Sequence, residues 1–328
     1  MASTYEIKDR PPGQQRPYPD PTKSGDIAFT TPGTDLECKT HYSIYGSLDD
    51  NDNKRPPLIC IHGGPGATSI YMRPFSLLSV DYDVPVIIYD QLGCGQSTHL
   101  RDTKGDTTFW TIDLFVAELQ NLLDALHIST FDLLGHSWGA LVAVRFASQQ
   151  QQIHNKTHHP TQHLRKLIIA QSTADMPLRT PLFHAQMSAL PPPHGEIATL
   201  AHKTNTTSSP AYKAALTAWS QHHMCRLSPW PAEFTACMAA LQDDDTVSST
   251  IHDFDIKGDV RRLGAEVVPG GILIFNGKYD QSMDEVVQPF YDLPGAEREW
   301  VKFERSGHMA MLEETEEVMK TVGQFLVR

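Results

Sequence analysis

What the 328 residues lack narrows the field first. No run of about eighteen consecutive apolar residues occurs, so no membrane-spanning helix is expected. The opening segment Met1–Lys8 has no apolar core of the kind a secretory signal carries, and a cytoplasmic location is the expectation. Cysteine is scarce: Cys38, Cys60, Cys94, Cys225 and Cys237 are odd in number, scattered and without CxxC spacing. They read as reduced thiols, neither a disulfide frame nor a zinc site. Basic clusters are missing as well. With 27 Lys and Arg against 39 Asp and Glu, the net charge is −12, and nothing could neutralise a run of phosphates. Nucleic acid and anionic membranes are therefore not expected as partners. The acidic turn at Asp49–Asn53 is too short for an EF-hand loop and lacks its glycine and closing glutamate. His154, His158, His159 and His163 follow a Gln-rich stretch without fixed ligand spacing, so they read as a solvated loop and no metal is expected.

What is present is a large apolar fraction, 40 %, arranged as short strands separated by helical patterns. Residues 1–26 are polar and Pro-rich and read as an extended arm. Alternation between Ile27 and Gly46 suggests antiparallel strands. Pro57–Ile61, Val84–Tyr89, Phe131–Leu134, Lys166–Ala170 and Gly271–Asn276 read as buried strands. Thr111–Leu126 carries the apolar stripe of an amphipathic helix, and a last helix is expected from about Glu314 to Val327. Strands alternating with helices imply an α/β fold, with a mainly parallel sheet flanked by helices. From about Asp175 to Asp253 the strand pattern stops and helical stretches with Pro-rich breaks take over. The expected division is an arm at 1–26, a core at 27–174 and 254–328, and a helical cap at 175–253.

The segment Gly135-His136-Ser137-Trp138-Gly139 lies between a predicted strand and a predicted helix. Glycines two residues either side of a serine allow a sharp turn that exposes the hydroxyl, with the Trp138 N–H beside it as an oxyanion donor. A serine needs a base, and the base an orienting acid. Asp280 follows the strand at 271–276, and His308 follows the strand-like Trp300–Phe303. Serine, aspartate and histidine in that order, each just after a strand, are hard to obtain by chance. His62-Gly63-Gly64-Pro65-Gly66 follows another strand and offers backbone N–H groups to a developing oxyanion, from Gly64 or its neighbour Gly63. It lacks the GK[ST] ending of a phosphate loop.

HGGPG at 62–66, DQLGCGQS at 90–97, GHSWGA at 135–140, GKYD at 277–280 and SGH at 306–308 together resemble the proline iminopeptidase and amino-acid amidase family of α/β-hydrolases. The resemblance implies an α/β-hydrolase fold with a cap insertion and amide-bond cleavage through an acyl-enzyme. It also implies Ser137 as nucleophile, His308 as base, Asp280 as orienter, Gly64 and Trp138 as oxyanion donors, and no cofactor. Three departures accompany it. Leu92 replaces an arginine usual in DQRGxGxS. GHSWGA stands for GGSWGG. The Trp-Glu pair that commonly marks an amine-binding cap glutamate is absent, since Ser220 and Pro231 follow the cap tryptophans. Glu233 and the run Asp243–Asp245 are the candidate substitutes, and Trp219 and Trp230 are candidate wall residues of a mainly apolar pocket. The expected partner is a small molecule: a short peptide, an amino-acid amide or an ester. Ester or lactone hydrolysis, and a non-hydrolytic biosynthetic step, use the same machinery and stay open.

Overall fold

The computed structural model describes residues 7, 9–48, 55–154, 163–251, 255–292 and 295–328. The acidic turn at Asp49–Asn53 falls outside them, as do His158 and His159 of the histidine-rich stretch. Eight strands form one sheet: β1 (Lys23–Thr30), β2 (Glu37–Tyr45), β3 (Leu58–Ile61), β4 (Val86–Tyr89), β5 (Thr130–His136), β6 (His163–Ala170), β7 (Ile272–Gly277) and β8 (Arg298–Phe303). Their spatial order is β1-β2-β4-β3-β5-β6-β7-β8. β1 pairs antiparallel with β2, and β2 with β4. The remaining neighbours are parallel.

β3, β4 and β7 are buried along their whole length, as expected where helices cover both faces of a parallel sheet. Alternate residues feed two separate cores. Ile59, Ile61, Ile87, Leu133, Ile169 and Ile274 pack with α2 (Ile112–Ala125) and α3 (Trp138–His154). Leu58, Cys60, Val86, Leu134, Ile168 and Leu273 face the other way. They meet a 3₁₀ stretch at Ser69–Leu77 that runs into the one-turn α1 (Leu78–Asp81), together with the C-terminal segment. α2 begins where the sequence signals it: the Thr111 hydroxyl caps the Leu114 N–H.

Between β6 and β7 the chain forms α4 (Met176–Ser188), α5 (His194–Thr204), α6 (Pro210–Trp219), a π turn at Ser220–Met224, α7 (Ala232–Asp243) and the short α8 (Lys257–Val260). Met187, Ala198, Ala215 and Trp219 give α4–α6 a small core of their own. α9 (Asp284–Tyr291), α10 (Ala310–Glu313) and α11 (Thr315–Val327) complete the fold. Two boundaries differ from expectation. Lys23–Asp26, read as part of the arm, open β1, because they continue the antiparallel ladder against His41–Ile44. β6 starts at His163, inside the expected loop, where its N–H reaches the Ser129 carbonyl.

One buried carboxyl on α2 ties the two sides of the sheet's antiparallel edge to the loop after β4. Glu118 is fully buried and accepts from the Thr40 hydroxyl at 2.6 Å and the Leu92 N–H at 3.0 Å. Burial pushes its pKa up to about 7, against 4.5 ordinarily. Between those values the native protein holds a proton that the unfolded chain has released, so this group's stabilisation is present at low pH and lost as pH rises through about 7. Glu118→Gln removes the titration and keeps both contacts, its Oε1 accepting from the Leu92 N–H and its Nε2–H donating to the Thr40 hydroxyl oxygen. Relative to wild type its stability is expected to rise by up to about 3 kcal/mol between pH 5 and pH 8. Urea unfolding of both proteins across that range checks this; a constant difference contradicts it.

Candidate active site

β5 ends at His136 and α3 starts at Trp138, leaving Ser137 alone to make the turn. It does so with φ at 54°, left-handed backbone that a non-glycine residue adopts at a cost of about 1–2 kcal/mol. The bend is held from several directions. The Ser137 N–H donates to the Ala170 carbonyl at 2.9 Å, and its carbonyl accepts from the Ser172 hydroxyl at 2.8 Å. A Cβ on Gly139 would lie 2.1 Å from the Ile61 carbonyl oxygen, and one on Gly135 would lie 2.3 Å from the Ala140 Cα. Both glycines are there because strand and helix touch.

The HGGPG loop passes directly over the serine: a Cβ on Gly63 would lie 2.9 Å from the Ser137 Cβ. Its N–H groups are not equivalent. That of Gly63 donates to the Tyr71 hydroxyl at 2.5 Å, while Gly64 lines the cavity over the serine. Gly64 has φ at 129°, a region reserved for glycine. His62 locks the base of the loop. Its Nδ1–H donates to the Gly63 carbonyl at 2.9 Å and its Nε2 accepts from the Gln91 N–H at 3.0 Å. The Gln91 side chain donates to the His62 carbonyl and accepts from the Trp138 indole at 3.1 Å. His62, Asp90 and Cys94 cluster closely enough to suggest a metal. Their atoms are already engaged, however: Asp90 accepts from the Ser69 and Gln96 N–H groups, and Cys94 donates to the Gln91 carbonyl. The cluster is a loop brace.

His308 and Asp280 meet on the loops after β8 and β7. His308 Nδ1–H donates to Asp280 Oδ1 at 2.7 Å, both side chains being almost wholly buried. This fixes the tautomer with Nε2 as acceptor. Asp280 Oδ1 also takes the Ser282 N–H at 2.8 Å. His136, in the variable position of the elbow, joins the two halves of the site. The Tyr71 hydroxyl donates to its Nδ1 at 2.8 Å, and its Nε2–H donates to the His308 carbonyl at 2.9 Å. Burial, reinforced by the neighbouring His308, keeps His136 neutral by holding its pKa well below the ordinary range. Gln171, Gln186 and His223 brace the same loops. They donate respectively to the Gly307, Asp280 and Tyr279 carbonyls at 2.6, 2.8 and 2.7 Å. None of these five supports was singled out from sequence; the DQ of 90–91 and the residue before the serine were the only available signals.

A cavity of about 260 Å³ opens over the serine, lined by Gly64, Pro65, Ser137, Trp138, Leu141, Ser172, Thr173, Met176, Arg179, Ser248, Ile251, Gln281 and Ser282. Ser137, Trp138 and Gly64 are thus brought together; Gln281 and Ser282, next to Asp280 in the chain, line the same cavity, and the His308 carbonyl is tied to the elbow through His136. The other expected residues lie elsewhere. Trp219 is buried in the core of α4–α6, its indole on Gln186 at 3.2 Å. Trp230 donates to the Cys225 carbonyl and packs on Phe234. Glu233 lies near Tyr18, whose phenol is raised by burial first and by the Glu233 charge second. Asp243, Asp244 and Asp245 pair with Arg101, His99 and Lys104, each at 2.5 Å, tying the end of α7 to the loop after β4.

Comparison with known proteins agrees with this architecture. The alpha/beta hydrolase fold family matches residues 56–315, and the chain belongs to that family; it is a hydrolase. Within the family its likeness is to proline iminopeptidases. That of Heyndrickxia coagulans is 27% identical over 288 residues, covering 84% of this chain and 92% of the relative. The crystal structure of VinJ superposes with a TM-score of 0.79 at 29% identity, over 94% of this chain and 99% of that one. The proline iminopeptidase structure from Mycobacterium smegmatis gives 0.78 at 28%, over 92% and 97%. Among the described residues no helix is long and apolar enough to cross a membrane.

The Tyr71 hydroxyl is the one group that both accepts from the glycine loop and donates to His136. Tyr71→Phe leaves a buried N–H and a buried imidazole nitrogen without partners and is expected to destabilise the protein by about 2–4 kcal/mol. Denaturant unfolding measures it; unchanged stability contradicts the bonding scheme.

Proposed function

We propose that the protein is a serine hydrolase that cleaves an amide bond, in the manner of an aminopeptidase or amino-acid amidase, through an acyl-enzyme on Ser137. The observation that carries this reading is the buried His308–Asp280 hydrogen bond, tied through His136 to the elbow whose serine, in left-handed backbone, lines a cavity. The likeness to proline iminopeptidases supports the amide as the bond cleaved.

In this mechanism His308 Nε2 takes the Ser137 proton as Oγ attacks the substrate carbonyl carbon. The Gly64 and Trp138 N–H groups receive the oxygen as it becomes an oxyanion. The C–N bond breaks as the imidazolium returns the proton to the departing amine. Water then attacks the acyl carbon, giving its proton to His308; the ester bond to Oγ breaks and the proton returns to Ser137. Asp280 holds the imidazole in the tautomer that makes Nε2 basic and stabilises the imidazolium. Helices α4–α7 act as the cap of residues 175–253, and they contribute Met176 and Arg179 to the cavity wall.

Ser137→Ala is expected to lower turnover by at least about 10³-fold with the fold intact, and Asp280→Asn by a comparable or smaller factor. The substrates are Pro-, Ala- and Phe-β-naphthylamides, with free and acetylated amino groups, and p-nitrophenyl acetate. Turnover of amides by wild type and its loss in Ser137→Ala fit the proposal. Cleavage of the ester alone replaces amidase with esterase, and full activity of Ser137→Ala removes the serine from the mechanism.

A further inference from the structure

The cavity over Ser137 has an unusual charge. Among its lining residues there is no aspartate or glutamate and a single cation, Arg179. None of the candidate cap carboxylates lines it, and Glu233 lies instead near Tyr18. Asp243, Asp244 and Asp245 hold Arg101, His99 and Lys104, while Asp175 holds Lys257 at 2.8 Å. Arg179, in contrast, has no hydrogen-bond acceptor or carboxylate partner among the described residues, although its five donors are arranged to grip a carboxylate in parallel.

Nor is the position one where an arginine stabilises the fold. Arg179 sits in the opening turn of α4, where the helix field disfavours a cation and favours an anion. Met176, the first residue of the same helix, lines the cavity too, so this helix end borders the space above the serine. The Arg179 side chain is exposed along the cavity wall, where a bound substrate can reach it.

We propose that the cavity takes a substrate bearing a carboxylate and that Arg179 recognises it. The inference rests on the assignment of Ser137 as nucleophile and adds the substrate class. The carboxylate can belong to the acyl portion, as in an acidic amino acid, or to the leaving group, as at the end of a dipeptide; Arg179 answers the same chemistry in both.

Two matched ester pairs separate these sources. On the acyl side, p-nitrophenyl hemiglutarate is compared with its methyl ester; on the leaving side, the acetate of 3-carboxy-4-nitrophenol is compared with that of 4-nitrophenol. Wild type is expected to favour one carboxylate over its neutral partner by about tenfold or more in kcat/KM, the scale of a charge-assisted bidentate contact. Arg179→Gln should bring that ratio near unity by lowering kcat/KM for the carboxylate ester far more than for its neutral partner, and Arg179→Lys should restore part of it. A ratio near unity in wild type for both pairs, or one that survives Arg179→Gln, overturns the proposal. If no ester turns over, the readout becomes fluorophosphonate labelling of Ser137. Slowing by glutarate but not glutaramide in wild type, absent in Arg179→Gln, supports the proposal, and equal slowing overturns it. Turnover that persists in Ser137→Ala faults the serine assignment itself, which Arg179→Gln leaves untouched.

Discussion

Strand β5 and helix α3 can touch the neighbouring strand only if two positions carry no side chain, and the residue between them must then turn in left-handed backbone. Gly135 and Gly139 meet the first condition, with Cβ positions that would overlap backbone atoms of Ala140 and Ile61. Ser137 meets the second at φ 54°. The strain persists because the Ala170 carbonyl and the Ser172 hydroxyl clamp the turn from β6 and the loop beyond it. The serine therefore stands at a fixed height above the parallel strands, and the loops that follow β3, β7 and β8 assemble around it.

Buried hydrogen bonds align those loops. One line runs from the Gly63 N–H through Tyr71 and His136 to the His308 carbonyl, so the HGGPG loop and His308 share a chain of hydrogen-bonded groups. A second runs from Trp219 through Gln186 to the Asp280 carbonyl, so the packing of α4–α6 bears on the position of Asp280. Such networks are costly if half-made and specify a single arrangement when complete. They also explain why a histidine fits where a glycine is usual before the serine: it is kept neutral, with both nitrogens in use.

The fold was largely legible in the sequence, because buried parallel strands read as short apolar runs and the helices between them as 3.6-residue stripes. The spacing of Ser137, Asp280 and His308 after successive strands was legible for the same reason: topology carries each to the same edge of the sheet. The supports were not. Tyr71 lies in a 3₁₀ stretch with no periodic signal, and Gln171, Gln186 and His223 act through backbone carbonyls that sequence spacing does not reveal. The helical segment between β6 and β7 was least legible. Trp219 and Trp230 are apolar enough for a pocket wall, yet α4–α6 needed a core of their own and the loop around Cys225 took the other. Arg179 carries no motif at all, and only the cavity distinguishes it from a surface arginine.

The central claim is that Ser137 becomes acylated during turnover. Quenching the protein in acid within milliseconds of mixing with a p-nitrophenyl ester, then sequencing its peptides by mass spectrometry, tests this directly. The account predicts an acyl adduct on the peptide holding Gly135–Gly139, at Ser137, that forms with the release of p-nitrophenolate. Release of p-nitrophenolate with that peptide unmodified throughout, or with the adduct on another residue, would contradict it.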